Sequence, residues 1–264
     1  ECLAGEEFSS FAIVDGENFI IIGHAQDHKP VFDGNLGPNT GGMGCSSPPM
    51  VITADIERQI ESIIKKTTEV LVRMKRPYRG ILYLGGMIDQ KRKVYVIEFN
   101  ARWGDPEAQV IVPAIKDDFY QLAMAAIEGR LNELKIKKDN YYRVVVTAAS
   151  QGYPDDYSQT IGKQIFGLDQ IMKSKDVEVF GAGVKIKSNK FLAGGGRLFY
   201  VMAHAKNVAQ ARKIAYNALS LAYIEDNNLH FRTDIGYRDL ERYYKLPRDK
   251  SPRYGSLSLH ERAE

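Results

Sequence analysis

The chain has 264 residues, 44% of them apolar and 26% charged, enough for one large domain or two ordinary ones and too apolar for a disordered tail. No apolar run approaches the roughly 20 residues that span a bilayer, and no basic, apolar leader is visible, so membrane insertion and secretion are not expected. The net charge of +3 conceals an acidic half, 14 Lys+Arg against 19 Asp+Glu in residues 1–134, and a basic half, 22 against 14 in residues 135–264; the first suits cations and the second phosphates or nucleic acid, unless both are only solvated surface.

Phe8 to Val14 and Phe19 to Ile22 read as a β-hairpin around Asp15-Gly16. Asp27 to Pro49, rich in Gly, Pro, Asn and Ser and without helical period, reads as a long loop, either functional or disordered. Thr53 caps a predicted helix in which Ile56, Ile60, Ile63, Ile64 and Leu71 follow helical spacing, and Pro77 ends it. Gly80 to Ile88 and Lys93 to Phe99 predict a second hairpin around residues 89–92. Asp117 opens a helix with Phe119, Leu122, Ala126 and Ile127 on its inner face, stopped by Gly129. The charged, aperiodic stretch Lys135 to Tyr142 is the predicted domain boundary. Val144 to Ala148, Val177 to Ile186 and Leu198 to Ala203 then read as strands, and Asn207 caps a helix through Leu219. The polar tail 245–264 is expected to be poorly ordered. Hairpins rather than successive βαβ units make the class α+β.

Glu98 and Asn100 carry the sharpest chemistry. Two apart at the end of an apolar strand, they project from one face with Val94 and Val96, while Tyr95, Ile97 and Phe99 take the other. A carboxylate there needs a partner: a hard cation, with the Asn100 amide oxygen as second ligand, or the nearby Arg102. The run Gly37-Pro38-Asn39-Thr40-Gly41-Gly42-Met43-Gly44 either gathers peptide N–H groups around an anion or is a plain flexible turn. As a substrate-contacting loop it is expected to be mobile until ligand binds. Gly194-Gly195-Gly196-Arg197 admits the same two readings. Arg102, Asp105 and Glu107 in one turn either hold an amino acid by both charged ends or form a self-contained salt bridge. The five histidines give no triad, His28 has no zinc-spaced partner, and Cys2 and Cys45 make neither a zinc cluster nor a disulfide framework. A reducing cytoplasmic setting is therefore expected. No basic segment interleaved with aromatics suggests nucleic acid.

In family order, Leu3-Ala4-Gly5-Glu6-Glu7, Gln26-Asp27-His28-Lys29, Gly37 to Gly44, Val96 to Asn100 and Gly104-Asp105-Pro106-Glu107 resemble the glycinamide ribonucleotide synthetase family of ATP-grasp ligases. Gly152-Tyr153-Pro154, Gly194 to Arg197 and Arg232-Thr233-Asp234-Ile235-Gly236 extend the resemblance, which covers roughly residues 1–243. It implies an ATP-grasp C-terminal subdomain over 1–134, followed by a smaller mixed α/β C-terminal domain over 135–244. The implied reaction joins glycine to 5-phosphoribosylamine: the glycine carboxylate takes the γ-phosphate of ATP, and the amine captures the acyl phosphate. Glu98 and Asn100 fall on the ligands of Mg²⁺ or Mn²⁺. Glu7 falls at the ribose hydroxyls, and Glu1 and Leu3 fall beside adenine. Asp27, Lys29, Asn39, Thr40, Gly41, Gly42 and Glu107 fall among the substrate contacts, and Arg102 and Asp105 are both substrate contacts and catalytic positions. The family's upstream domain and phosphate-holding lysine are not in the sequence. The chain therefore reads as a piece of a longer enzyme, inactive alone. Competing expectations are another ATP-grasp carboxylate–amine ligase and a non-catalytic nucleotide-binding module.

Overall fold

Asp15 turns the chain between β1 (Gly5–Asp15) and β2 (Phe19–Asp27). Its Oδ1 accepts from the Asn18 and Glu17 amides at 2.7 and 3.1 Å, and Gly16 supplies the positive φ of 111°. The computed structural model describes residues 1–245. Next come β3 (Pro30–Phe32), β4 (Leu36–Asn39), β5 (Gly44–Ser47), α1 (Ala54–Arg73), β6 (Arg79–Asp89), β7 (Val94–Asn100), α2 (Ala108–Ile111) and α3 (Phe119–Glu128). The second half runs β8 (Tyr142–Ser150), β9 (Gln164–Phe166), α4 (Leu168–Ile171), β10 (Val177–Gly181), β11 (Val184–Lys187) and β12 (Lys190–Ala193). It ends with β13 (Arg197–Ala205), α5 (Val208–Leu219), β14 (Tyr223–Ile224), β15 (Leu229–His230) and α6 (Tyr237–Lys245).

A nine-stranded sheet in the order β10-β13-β8-β5-β2-β1-β6-β7, with β15 on β8, carries the molecule. Every pairing is antiparallel, as the α+β reading requires. The sheet crosses residue 135 without a break, because β5 pairs with β2 on one side and β8 on the other. A smaller sheet, β11-β12-β9-β14, stands beside it.

Alternation along β1 sends Phe8, Ala12 and Val14 to one face, where α1 covers them with Ile56, Ile60 and Ile64. Phe11 and Ile13 face the other way, toward Val110 and Ile111 of α2 and Leu122, Ala125 and Ala126 of α3. In the second half α5 lays Ala211, Ala215 and Leu219 on β8 and β13. Each fully buried isoleucine or leucine contributes about 1.5–3 kcal/mol, so these three clusters hold the sheet against its helices.

Several expectations change. The segment 27–49 is not one long loop: β3 and β4 pair as a small hairpin, and β5 is central in the main sheet. Gly-Cys-Ser-Ser has little strand propensity; its two neighbours impose the conformation. Thr53 sits at the helix start, but its hydroxyl accepts from Arg92 Nη2 at 2.7 Å instead of capping. Asp118, not Asp117, caps α3 through the Tyr120 amide at 2.9 Å. Phe119 and Ile127 stay 38% and 58% exposed, so the face expected to pack is only partly covered. The strand expected from Val177 to Ile186 breaks at Gly183, whose α-carbon has the Arg197 carbonyl 2.7 Å from where a Cβ would stand. Asn207 does cap α5, accepting from the Gln210 amide at 2.8 Å. Helix α6 lies where no helix was expected, and of the predicted polar tail residues 246–264 fall outside the described residues.

Candidate functional site

β1, β2, β6 and β7 open a cleft at one end of the sheet, lined by Glu7, Phe8, Ser9, Asp27, Lys29, Tyr83, Gly85, Gly86, Ile97 and Glu98. Gly86 leaves no room for a side chain, and Gly85 leaves little. A Cβ on Gly86 would meet the Phe8 ring at 2.5 Å, and one on Gly85 would meet Glu98 Cγ at 3.2 Å. The strand facing them is irregular. Gly85 pairs with Glu98 but Gly86 pairs with Val96, so Ile97 is a bulge residue and both Ile97 and Glu98 line the cleft. This overturns the strict alternation expected for β7. It also corrects the picture of a buried strand: β7 is the sheet's edge, with Val96, Ile97 and Phe99 40–46% exposed.

Charge in the cleft is paired. Lys29 Nζ lies 3.0 Å from Glu7 Oε2. Burial pulls the Lys29 ammonium toward neutrality, but Glu7, Asp27 and Glu98 outweigh it and keep the group charged. Asp27 is pushed well above the ordinary carboxylate range, first by burial and then by the Glu107 carboxylate, while its Oδ1 accepts from the His28 amide at 2.7 Å. Glu107 itself turns inward beneath the cleft, accepting from Ser9 Oγ at 2.9 Å and Tyr83 Oη at 3.0 Å.

Asn100 Nδ2 donates to Glu98 Oε1 at 3.0 Å, so the two residues do share one side of the strand. Arg102 is not the partner of Glu98; its guanidinium donates to the Trp103 carbonyl at 2.9 Å. A carboxylate beside an amide is a hard-oxygen pair, suited to Mg²⁺ or Mn²⁺ whose other positions are filled by water and phosphate oxygens. Among the described residues no three His, Cys, Asp or Glu side chains form a closed metal cage. The donor set therefore fits a substrate-shared ion rather than a structural one.

A second group gathers beside the cleft. Arg197 donates through Nη1 to the Gly41 and Asp105 carbonyls, both at 2.8 Å, and through Nη2 to Asp105 Oδ2 at 3.0 Å. The turn thus has no self-contained salt bridge: Asp105 pairs with Arg197, and Glu107 is buried. The glycine loop is braced as well. The Gly41 amide donates to Tyr153 Oη at 3.1 Å, the Gly42 amide to Thr40 Oγ at 3.0 Å, and Thr147 Oγ donates to the Gly42 carbonyl at 3.1 Å. Those two amides are engaged within the protein, so they form no open anion nest. Asn39 ends β4 opposite Pro30. Glu1 and Leu3 precede β1 and line neither group.

Arg197, Tyr153, Thr147, Ser9 and Tyr83 were not singled out as site residues by sequence reasoning. The signal available for Arg197 is its place at the end of the run Gly194-Gly195-Gly196.

Two family models match the chain: phosphoribosylglycinamide synthetase, ATP-grasp (A) domain, over residues 1–108, and the C domain of the same enzyme over residues 143–238. A phosphoribosylamine–glycine ligase of Yersinia pestis is 41% identical over 244 residues, covering 92% of this chain and 56% of the relative. The crystal structure of phosphoribosylamine–glycine ligase from Thermotoga maritima superimposes with a TM-score of 0.78 at 34% identity, covering 89% of this chain and 57% of that one. The biotin carboxylase domain of Hydrogenobacter thermophilus 2-oxoglutarate carboxylase, crystallised with MgADP, shares the fold at 16% identity and a TM-score of 0.62, over 85% of this chain and 47% of that one. The chain thus spans a little over half the length of the ligases it matches.

Proposed function

The chain belongs to the phosphoribosylglycinamide synthetase family, and from that premise we propose that the complete protein joins glycine to 5-phosphoribosylamine with cleavage of ATP to ADP and phosphate. The observation that carries this reading is the convergence of Glu7, Asp27, Lys29 and Glu98, from separate strands and a loop, on one cleft. Residue types for ribose, phosphate and metal recognition meet there within one sheet end.

In this reading Glu7 accepts from the ribose hydroxyls, and the backbone near Glu1 and Leu3 borders adenine. Lys29, kept cationic by its carboxylate neighbours, attracts an anionic substrate group. Glu98 and Asn100 hold Mg²⁺ or Mn²⁺, which when bound offsets phosphate charge. Asp105 receives the glycine ammonium, and Arg102, whose guanidinium has no carboxylate within 4.0 Å among the described residues, takes its carboxylate. Asn39, Thr40, Gly41 and Gly42 present one wall of this substrate site, and Glu107, held by Ser9 and Tyr83, adds a carboxylate behind it. The stretch 135–142 is proposed as the boundary between the ATP-grasp half and the C-terminal domain. No helix among the described residues is long and apolar enough to cross a membrane, and a cytoplasmic setting is proposed for this small-molecule chemistry. The test is phosphate release from ATP by the complete protein. Release that requires both glycine and phosphoribosylamine is expected, and release indifferent to glycine overturns the reading.

A further inference from the structure

Arg197 joins elements far apart in sequence. It opens β13 in the second half of the chain, and its fork reaches the glycine loop at Gly41 and the turn at Asp105, both in the first half. The side chain is 19% exposed, whereas Asp105 is 49% exposed. The fit is close: a Cβ on Gly41 would lie 2.9 Å from the guanidinium carbon. Gln109 Nε2 holds the other Asp105 oxygen, Oδ1, at 3.0 Å. The carboxylate is thus held at both oxygens by donors from two elements, with lone pairs still open to solvent. Tyr153 and Thr147, on the same half as Arg197, brace Gly41 and Gly42.

We propose that Arg197 is the positioning residue of the amino-acid subsite, locking the Asp105 carboxylate and the Gly41 peptide into one frame so that both meet the substrate in fixed register. The proposal rests on the reading of Asp105 as a contact to the glycine ammonium. Arg197 acts through Asp105 and Gly41 rather than on the reacting atoms. Its planar fork reaches three acceptors at once, and a lysine offers a single compact charge in its place. Small displacements of a positioned group cost rate and affinity steeply.

The experiment compares Arg197→Lys, Arg197→Gln, Asp105→Asn and the Arg197→Gln/Asp105→Asn double variant in the complete protein. Both Arg197 variants are expected to raise the KM for glycine about tenfold or more, with the KM for ATP within about twofold of wild type. The double variant is expected to lose less than the product of the two single losses, since the Asp105 carboxylate is their shared partner while the Gly41 contact belongs to Arg197 alone. A wild-type glycine KM in Arg197→Lys overturns the proposal. So do losses that multiply in the double variant, or an equal rise in both KM values with a lowered melting temperature. Hydrogen exchange reads the lock without substrate. In Arg197→Gln, protection is expected to fall together across residues 40–43 and 104–109, and unchanged protection there overturns the lock whatever the substrate. A lock that behaves as expected in a protein indifferent to glycine overturns the assignment of the subsite and leaves the functional reading to fail separately.

Discussion

The guanidinium of Arg232 and the carboxylate of Asp234 meet through two parallel hydrogen bonds, Nε to Oδ1 at 2.7 Å and Nη2 to Oδ2 at 2.8 Å, with the arginine fully buried. The remaining donors reach back about 200 residues, to the Pro30 carbonyl and Asn35 Oδ1, both at 3.0 Å. Gly34 returns the contact, its amide donating to Asp234 Oδ2 at 2.9 Å. This clamp fixes the β3–β4 hairpin that follows Lys29 and leads to Asn39 and Thr40.

Removing one member of such a pair leaves a buried charge uncompensated. Asp234→Ala, which strands the fully buried Arg232 guanidinium, is expected to cost about 3–5 kcal/mol, read from the denaturant midpoint. Arg232→Lys cannot fill the fork and is expected to lose more than about 1 kcal/mol. A midpoint unchanged in both variants would remove the clamp from the account.

Acid should unfold the protein in two overlapping windows. His28 accepts from the Gly236 amide at Nε2, 2.9 Å away, and burial, aided by the charges of Arg232 and Arg238, lowers it from 6.5 to about 3. The unfolded chain binds this proton first, so stability falls as pH drops from 6.5 toward 3. Asp234 follows: burial alone would raise it, but the Arg232 and Gly34 hydrogen bonds prevail and hold it at about 2. Its contribution is present above the ordinary 3.8 and is lost as pH falls through about 2. His28→Gln keeps an acceptor for Gly236 and should flatten the melting temperature between pH 6.5 and 4. Parallel curves for variant and wild type would sink the assignment.

Two glycines separate strain from collision. Gly42 has φ of 115°, and a Cβ there would meet Pro106 Cδ at 2.4 Å beside Asp27 Oδ1 at 3.0 Å. Gly129 has φ of 75° and open space around it. Gly129→Ala is expected to cost only about 1 kcal/mol of stability. Gly42→Ala is expected to reduce kcat/KM for glycine about tenfold or more, because it displaces Pro106 and the cleft residue Asp27. Equal kinetics in the two variants would separate Gly42 from the substrate site.

Glu98→Gln keeps shape and deletes the charge offered to the metal. Phosphate release by the complete protein is expected to fall at least about a hundredfold, with the melting temperature unchanged because Glu98 is exposed. Wild-type turnover at saturating Mg²⁺ would show that the carboxylate does not hold the ion.

Local pattern was enough for much of this chain. Both early hairpins, α1, the Asn207-capped α5 and the α+β class follow from periodicity, turn residues and caps, each a matter of near neighbours. The Glu98–Asn100 pair was legible for the same reason, since residues two apart on a strand share a face. The edge position of β7 and the bulge at Ile97 were not, because both are set by how β6 pairs with it.

Residue chemistry and order also marked the family, and with it Glu7, Asp27, Lys29 and Asp105 as positions of interest. What joins them is decided only in three dimensions. β5 becomes a central strand because β2 and β8 flank it, against the weak propensity of Gly-Cys-Ser-Ser. Arg197 finds Asp105 across 92 residues, and Arg232 finds Pro30 across 202. No local rule encodes such pairings. A buried guanidinium must satisfy its donors wherever the folded chain brings acceptors, and only the packed sheet decides which acceptors those are.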